Sequence, residues 1–147
     1  MDIKVEESIS IKMPPADIYK IWRNFENLPS LMNHLKSVDV YDNSHSHWVA
    51  KAPLGTSVEW DAIVTEDIPN ELIVWQSSKN AEVKNEGRVA FISKSNGQET
   101  EVEVKFHYHP PLGKVGVTFA KLFGEEPSQQ VKDDLRRFKD ILERVVA

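Results

Sequence analysis

The 147-residue chain contains no cysteine. Disulfides, thiolate metal sites and a cysteine nucleophile are excluded, and a reducing compartment, the cytoplasm, is the expected setting. No stretch approaches the ~18 uncharged apolar residues of a membrane-spanning helix. The opening Met1-Asp2-Ile3-Lys4-Val5 has no basic region followed by an apolar run, so a signal peptide is not expected. Positive charge is in deficit: 18 Lys and Arg against 23 Asp and Glu leave a formal charge of −5. Wrapping nucleic acid needs a basic surface, so no nucleic-acid partner is expected. Repeats, low-complexity tracts and linkers are absent as well. So are a phosphate-cradling glycine loop, a Gly-x-Ser-x-Gly and a His-Glu-x-x-His. Nucleotide, serine-hydrolase and zinc-protease chemistry therefore have no support, and no cofactor is expected.

What remains is a chain of ordinary apolar content, expected to form one domain over residues 1–147. Ile3, Val5, Ile9 and Ile11 share one parity, the mark of a half-buried strand. Pro14-Pro15 ends it, and Pro15 suits the first turn of a helix carrying Ile18, Ile21, Trp22 and Phe25 at helical spacing. Leu28, Leu31, Met32 and Leu35 suggest a second short helix. Segments 36–42, 46–52, 56–67, 71–78, 83–95 and 99–109 are rich in Val, Ile, Trp, Phe and Thr and are separated by turn residues. Asn96-Gly97 is the clearest hairpin signal. Such short connections predict an antiparallel meander. After Ser128, a candidate N-cap, the residues Val131, Leu135, Phe138, Leu142 and Val145 form one apolar helical stripe. About 18 residues give a helix of ~27 Å, enough to cross a sheet. The fold class is therefore α+β, in the order β-α-α-β-β-β-β-β-β-α: a helix-grip arrangement, with a curved antiparallel sheet around a long C-terminal helix. Curvature holds the sheet's centre off the helix and leaves room for a pocket.

The residues Pro14-Pro15-Ala16-Asp17-Ile18-Tyr19, Trp22-Arg23-Asn24-Phe25-Glu26-Asn27-Leu28-Pro29, Glu59-Trp60-Asp61-Ala62, Pro69-Asn70-Glu71-Leu72-Ile73-Val74-Trp75 and Asp134-Leu135-Arg136-Arg137-Phe138-Lys139 give the chain a resemblance. It resembles the START-like (SRPBCC) superfamily, in particular the polyketide cyclase/dehydrase-like branch near the coenzyme-Q-binding proteins. The resemblance covers nearly the whole chain. It implies the helix-grip fold and a ligand pocket, and it specifies chemistry weakly because one fold hosts many functions.

Aromatic residues are the first candidates for the pocket. Trp60, Trp75, Phe91, Phe106, Tyr108 and Phe119 are the expected ligand-binding residues, and Trp48 and Trp75 are expected on neighbouring strands. Trp and Tyr offer an apolar body with one hydrogen-bonding handle, which suits a flat or lipid-like ligand; the plain alternative is that they only fill the core. His45-x-His47 and His107-x-His109 each set two imidazoles on one strand face, but their parity opposes Trp48 and Tyr108, so they are expected to face solvent and to bind no metal. Glu59 and Asp61 read as a solvated face beside Lys and Thr partners. Tyr108 and His34 are the better candidates for acid–base work, although an exposed helical histidine is the favoured reading of His34. Segment 112–124, with Leu112, Val115, Val117, Phe119, Leu122 and Phe123, is too apolar for a plain connector. It reads as a glycine-hinged lid, as a transient membrane contact, or as a short packed helix.

Three functions follow. The first is a carrier or chaperone for a small hydrophobic molecule such as a quinone, lipid or polyketide. The second is an enzyme of the polyketide cyclase/dehydratase type, and the third a protein-interaction module. A buried, perturbed acid or base in the pocket favours the second over the first. Catalytic residues and oligomeric state are not specified by the sequence.

Overall fold

Apolar and polar residues alternate through most of the chain, and in the computed structural model that alternation becomes one sheet. The structure describes residues 3–51, 55, 57–79, 81, 83–109 and 127–146. Strand β1 (Ile3–Ile11) is followed by α1 (Pro15–Arg23), a 3-10 turn (Phe25–Asn27) and α2 (Leu28–Leu31). Six strands come next: β2 (Leu35–Val40), β3 (His45–Lys51), β4 (Ser57–Ile68), β5 (Leu72–Ser77), β6 (Lys84–Lys94) and β7 (Glu99–His109). The long helix α3 (Pro127–Val146) closes the series.

The seven strands lie in the order β1-β7-β6-β5-β4-β3-β2, every pair antiparallel. Strands β2 to β7 form the expected meander, and β1 returns to pair with β7. Register shifts between Leu35 and Ser37 in β2, and between Val64 and Glu66 in β4, bend the sheet and help it curl around α3. The helix-grip architecture expected from the sequence is the one observed.

Local chemistry explains the element ends. Pro14, in extended conformation, precedes Pro15 at the start of α1, where its missing N–H is harmless. Three consecutive residues, Ser95, Asn96 and Gly97, take φ of 51°, 56° and 87°, so Asn96-Gly97 does turn the chain between β6 and β7. One boundary differs from expectation. Helix α3 begins at Pro127, so Ser128 lies inside its first turn instead of capping it; a proline at the start pre-sets the helical φ and takes the first position.

The core forms where α1, the 3-10 turn and α2 supply a second layer. Ile18, Trp22, Phe25 and Leu28 sit with Ile11, Val89, Phe91 and Val102 from the sheet and with Leu135, Phe138 and Leu142 from α3. The Trp22 ring meets Phe138 edge-on at 5.2 Å and Phe91 at 6.2 Å. Outside this core, the Tyr19 hydroxyl donates to Asp67, and Arg23 Nε donates to the other Asp67 oxygen at 2.9 Å, fastening α1 to β4. Burial, followed by the Asp67 carboxylate, pushes the Tyr19 hydroxyl up to about 12. At the far end of α3, the Lys12 backbone N–H donates to Glu143 at 3.0 Å.

Candidate functional site

Strand parity and helix pitch aim two sets of side chains at each other, and at one end of the sheet they do not meet. There β3 finishes, β4 begins, β5 finishes, β6 begins and β7 finishes. The N-terminal half of α3 stands over this end. A cavity of about 250 Å³ lies between them. Trp48, Trp60, Trp75, Phe106 and Tyr108 border it from the sheet, and Val131 and Leu135 from the helix.

Four of the six expected ligand-binding residues are brought together. Trp60, Trp75, Phe106 and Tyr108 all line the cavity. Trp60 stacks on Trp48 at 6.4 Å, and Phe106 lies 6.2 Å from Tyr108 and 6.5 Å from Trp75. Burial alone pushes the Tyr108 hydroxyl up to about 12, so it stays protonated at neutral pH and can act as a donor. Phe91 is a correction. It shares the concave face, but its ring is buried against Tyr19 at 5.7 Å and behind Trp22, and it is not among the residues that line the cavity. Parity fixes the face of a side chain and leaves its position along the sheet open. Phe119 and segment 112–124 lie outside the described residues. A second correction concerns Trp48 and Trp75. They are not on neighbouring strands: β4 runs between β3 and β5, and Trp48 is paired with Trp60.

The polar lining was largely missed. Helix α2 stops at Leu31, and His34 falls in the turn before β2, where its carbonyl accepts the Lys51 N–H at 2.8 Å. Instead of an exposed helical side chain, His34 is part of the cavity wall. Its Nδ1 lies 2.8 Å from Asp134 Oδ1 on α3, and its backbone N–H donates to the same oxygen at 3.3 Å. The Asp134 side chain is 13% exposed and that of His34 26%. Burial raises the Asp134 carboxyl above its ordinary range, while the hydrogen bonds from His34 and the backbone pull the other way. A carboxyl and an imidazole in contact, both bordering an apolar space, can hold or pass a proton. Helical spacing carried the signal for Asp134: it stands three residues after Val131 and four before Phe138, a charge inside the apolar stripe. His34 was a candidate for acid–base work from the sequence, but its contact with Asp134 left no local mark, because the two are 100 residues apart.

Other polar groups are fixed by the wall itself. Trp48 Nε1 donates to the buried Ser46 hydroxyl at 2.8 Å. Trp75 Nε1 donates to Asn85 Oδ1 at 3.3 Å, and Asn85 in turn donates to the Val83 carbonyl at 3.1 Å.

The remaining candidates lie outside the cavity. His47 sits between Asp61, 2.7 Å from its Nδ1, and Glu59, 3.5 Å from its Nε2. Both carboxylates are exposed, and histidine takes the place of the expected Lys and Thr partners because β3 and β4 pair His47 with Asp61. His45 meets Asp42 and His109 meets Glu86, also at the surface. Among the described residues, no three His, Asp or Glu side chains converge as a metal-binding set, and no helix is long and apolar enough to cross a membrane.

Comparison with known proteins agrees with this architecture. Residues 11–136 match the family model described as polyketide cyclase / dehydrase and lipid transport. An uncharacterized 17.2 kDa protein of Streptomyces lincolnensis is 33% identical over 144 residues, 95% of this chain and 89% of that protein. A crystal structure from Deinococcus radiodurans is 38% identical with a TM-score of 0.76, covering 96% of this chain and 97% of that one. A START superfamily protein from Mycobacterium smegmatis shares the fold at 18% identity, with a TM-score of 0.71 over 95% of this chain and 98% of that one. The chain belongs to the polyketide cyclase / dehydrase and lipid transport family.

Proposed function

We propose that this family member is a carrier: residues 1–147 act as one cytoplasmic ligand-binding domain that holds a small hydrophobic molecule between sheet and helix. The observation that carries this reading is the cavity itself, about 250 Å³ of space walled by Trp48, Trp60, Trp75, Phe106 and Tyr108. Burying roughly 200 Å² of apolar surface there gains on the order of 5 kcal/mol before association losses. A quinone of the coenzyme-Q type, a lipid or a polyketide thus needs few polar contacts, and the His34–Asp134 pair can supply them. The apolar composition of segment 112–124 fits a transient membrane contact during loading.

Two measurements test the carrier reading. Native mass spectrometry of freshly purified protein should show a bound small molecule that solvent extraction recovers. Titration with short-chain quinones or fatty acids should quench tryptophan fluorescence and raise the melting temperature. If no such ligand changes either signal, the carrier reading falls.

A second reading rests on one specific observation. Asp134 is a half-buried carboxyl shifted upward and in contact with His34 at the cavity wall. Groups of that kind suit proton transfer in a cyclase or dehydratase. A polyketide-like ligand recovered with its mass lower by one water would establish that chemistry, and recovery unchanged supports the carrier.

A further inference from the structure

Among the described residues two polar side chains are buried, and they differ in where their protons go. Thr100 is completely buried, and its hydroxyl donates to the Met13 carbonyl at 2.7 Å. Ser46 on β3 is 3% exposed and borders the cavity. Its oxygen accepts the Trp48 Nε1–H at 2.8 Å, and none of the described residues accepts its own proton. A buried donor needs an acceptor, and the space that Ser46 borders is the cavity. The wall is recessed at this point. Strand pairing sets Trp48 opposite Trp60, and two residues along it sets Ser46 opposite Ala62. All four border the cavity. Two indoles therefore stand beside two small side chains, and the result is a notch with a hydroxyl in its floor.

We infer that Ser46 is a specificity-determining residue: its hydroxyl, set in this notch, donates a hydrogen bond to an uncharged carbonyl oxygen of the ligand. This deepens the carrier reading and rests on it. The Trp48 N–H occupies the accepting side of the hydroxyl and polarises its proton, which strengthens it as a donor. A ligand that displaces water from the notch must supply an oxygen or leave that proton unpaired. A carbonyl oxygen is small enough to enter beside Ala62, and a hydrocarbon has nothing to offer there. Charge narrows the class further. Among the described residues no Lys or Arg borders the cavity, and the Asp134 carboxyl in its wall is already raised by burial. A carboxylate ligand would enter with no cationic side chain to meet it. A ketone, a quinone or an ester meets both conditions.

The test compares 1-tetralone with tetralin, the same skeleton without the carbonyl, by isothermal titration calorimetry on the full chain. Ser46→Ala is expected to lower the ratio of tetralone to tetralin affinity about tenfold, the scale of one hydrogen bond. If Ser46→Ala fails to fold, Ser46→Cys, whose thiol is a weak donor, is expected to lower the ratio in the same sense. The infrared carbonyl stretch of tetralone bound to the wild-type chain gives a reading that needs no variant. It should lie below its value in hexane, and a hexane-like value would overturn the inference. An unchanged affinity ratio in a folded variant would overturn it too, and would leave the carrier reading standing. Binding of 1-naphthoate more tightly than tetralone would overturn the preference for an uncharged ligand. Failure of the wild-type chain to bind either tetralone or tetralin would remove the carrier reading, and this inference with it.

Discussion

One sheet and one helix make both a solid core and a hollow, and the two ends of β7 show the difference. Its inward residues run Thr100, Val102, Val104, Phe106, Tyr108. Val102 is completely buried, and Val104 is buried at the boundary. Two positions further on, Phe106 and Tyr108 border empty space. The same gradient runs along α3: Phe138 and Leu142 are sealed, while Val131, on the same stripe, is only half-buried. Along β7 hydrophobicity does not set this difference, since its larger apolar residues, Phe106 and Tyr108, sit at the hollow end. The difference lies in the intervening layer. The layer of α1, the 3-10 turn and α2 packs Ile18, Trp22, Phe25 and Leu28 against sheet and helix, and Trp22, Phe25 and Leu28 also border the cavity where that layer ends. Strand curvature alone then leaves the opposite end unfilled, and large rings propped apart by the sheet cannot close it.

That comparison breaks most visibly at Phe138. Its ring is fully buried and in contact with Trp22. Phe138→Ala should destabilise the protein by ~3–5 kcal/mol in chemical denaturation. A loss under about 1 kcal/mol would mean that the solid end is no better packed than the cavity. Adding volume gives the next contrast. Val102→Leu, at a completely buried position, should cost ~1–3 kcal/mol through overpacking. Ala62→Leu, on β4 at the cavity wall, should instead be neutral or stabilise by ~0.5–2 kcal/mol, with ligand quenching reduced. Opposite signs at the two ends sharpen the comparison, and equal signs would erase it.

Much of this division was legible in the sequence, and what was missed has physical causes. Period-two and helical alternation located every described strand, α1 and α3, because burial of one face leaves that mark wherever it occurs. Parity also put Trp60, Trp75, Phe106 and Tyr108 on the concave face. It could not separate Phe91 from them, because the distinction is position along the sheet, set by which helix covers which stretch. Nor could it give the order that puts β4 between Trp48 and Trp75, since pairing is long-range information. The His34–Asp134 contact has the same character: a turn residue and a helix residue meet only after the sheet has curled.

The smallest expected effect bears on whether the hollow end trades stability for recognition. In Asp134 the folded state holds its proton more firmly than the unfolded chain does, because burial raises the carboxyl. Between the ordinary carboxylate value of ~4 and the raised one, the folded state binds more protons, so stability falls as pH rises through that window and levels off above it. Asp134→Asn removes the titration but keeps an oxygen able to accept from His34. The variant's stability should therefore be flatter with pH just above 4 than the wild type's, and at neutral pH no lower. Denaturation midpoints across that range check it. A variant less stable than the wild type at neutral pH would show that the carboxylate is a structural partner of His34, with no stability given up to place it there. Unchanged stability together with weakened ligand binding would mark Asp134 as a group kept at the hollow end for what enters it, in contrast to Phe138, four residues along the same helix, which is sealed among other parts of the fold.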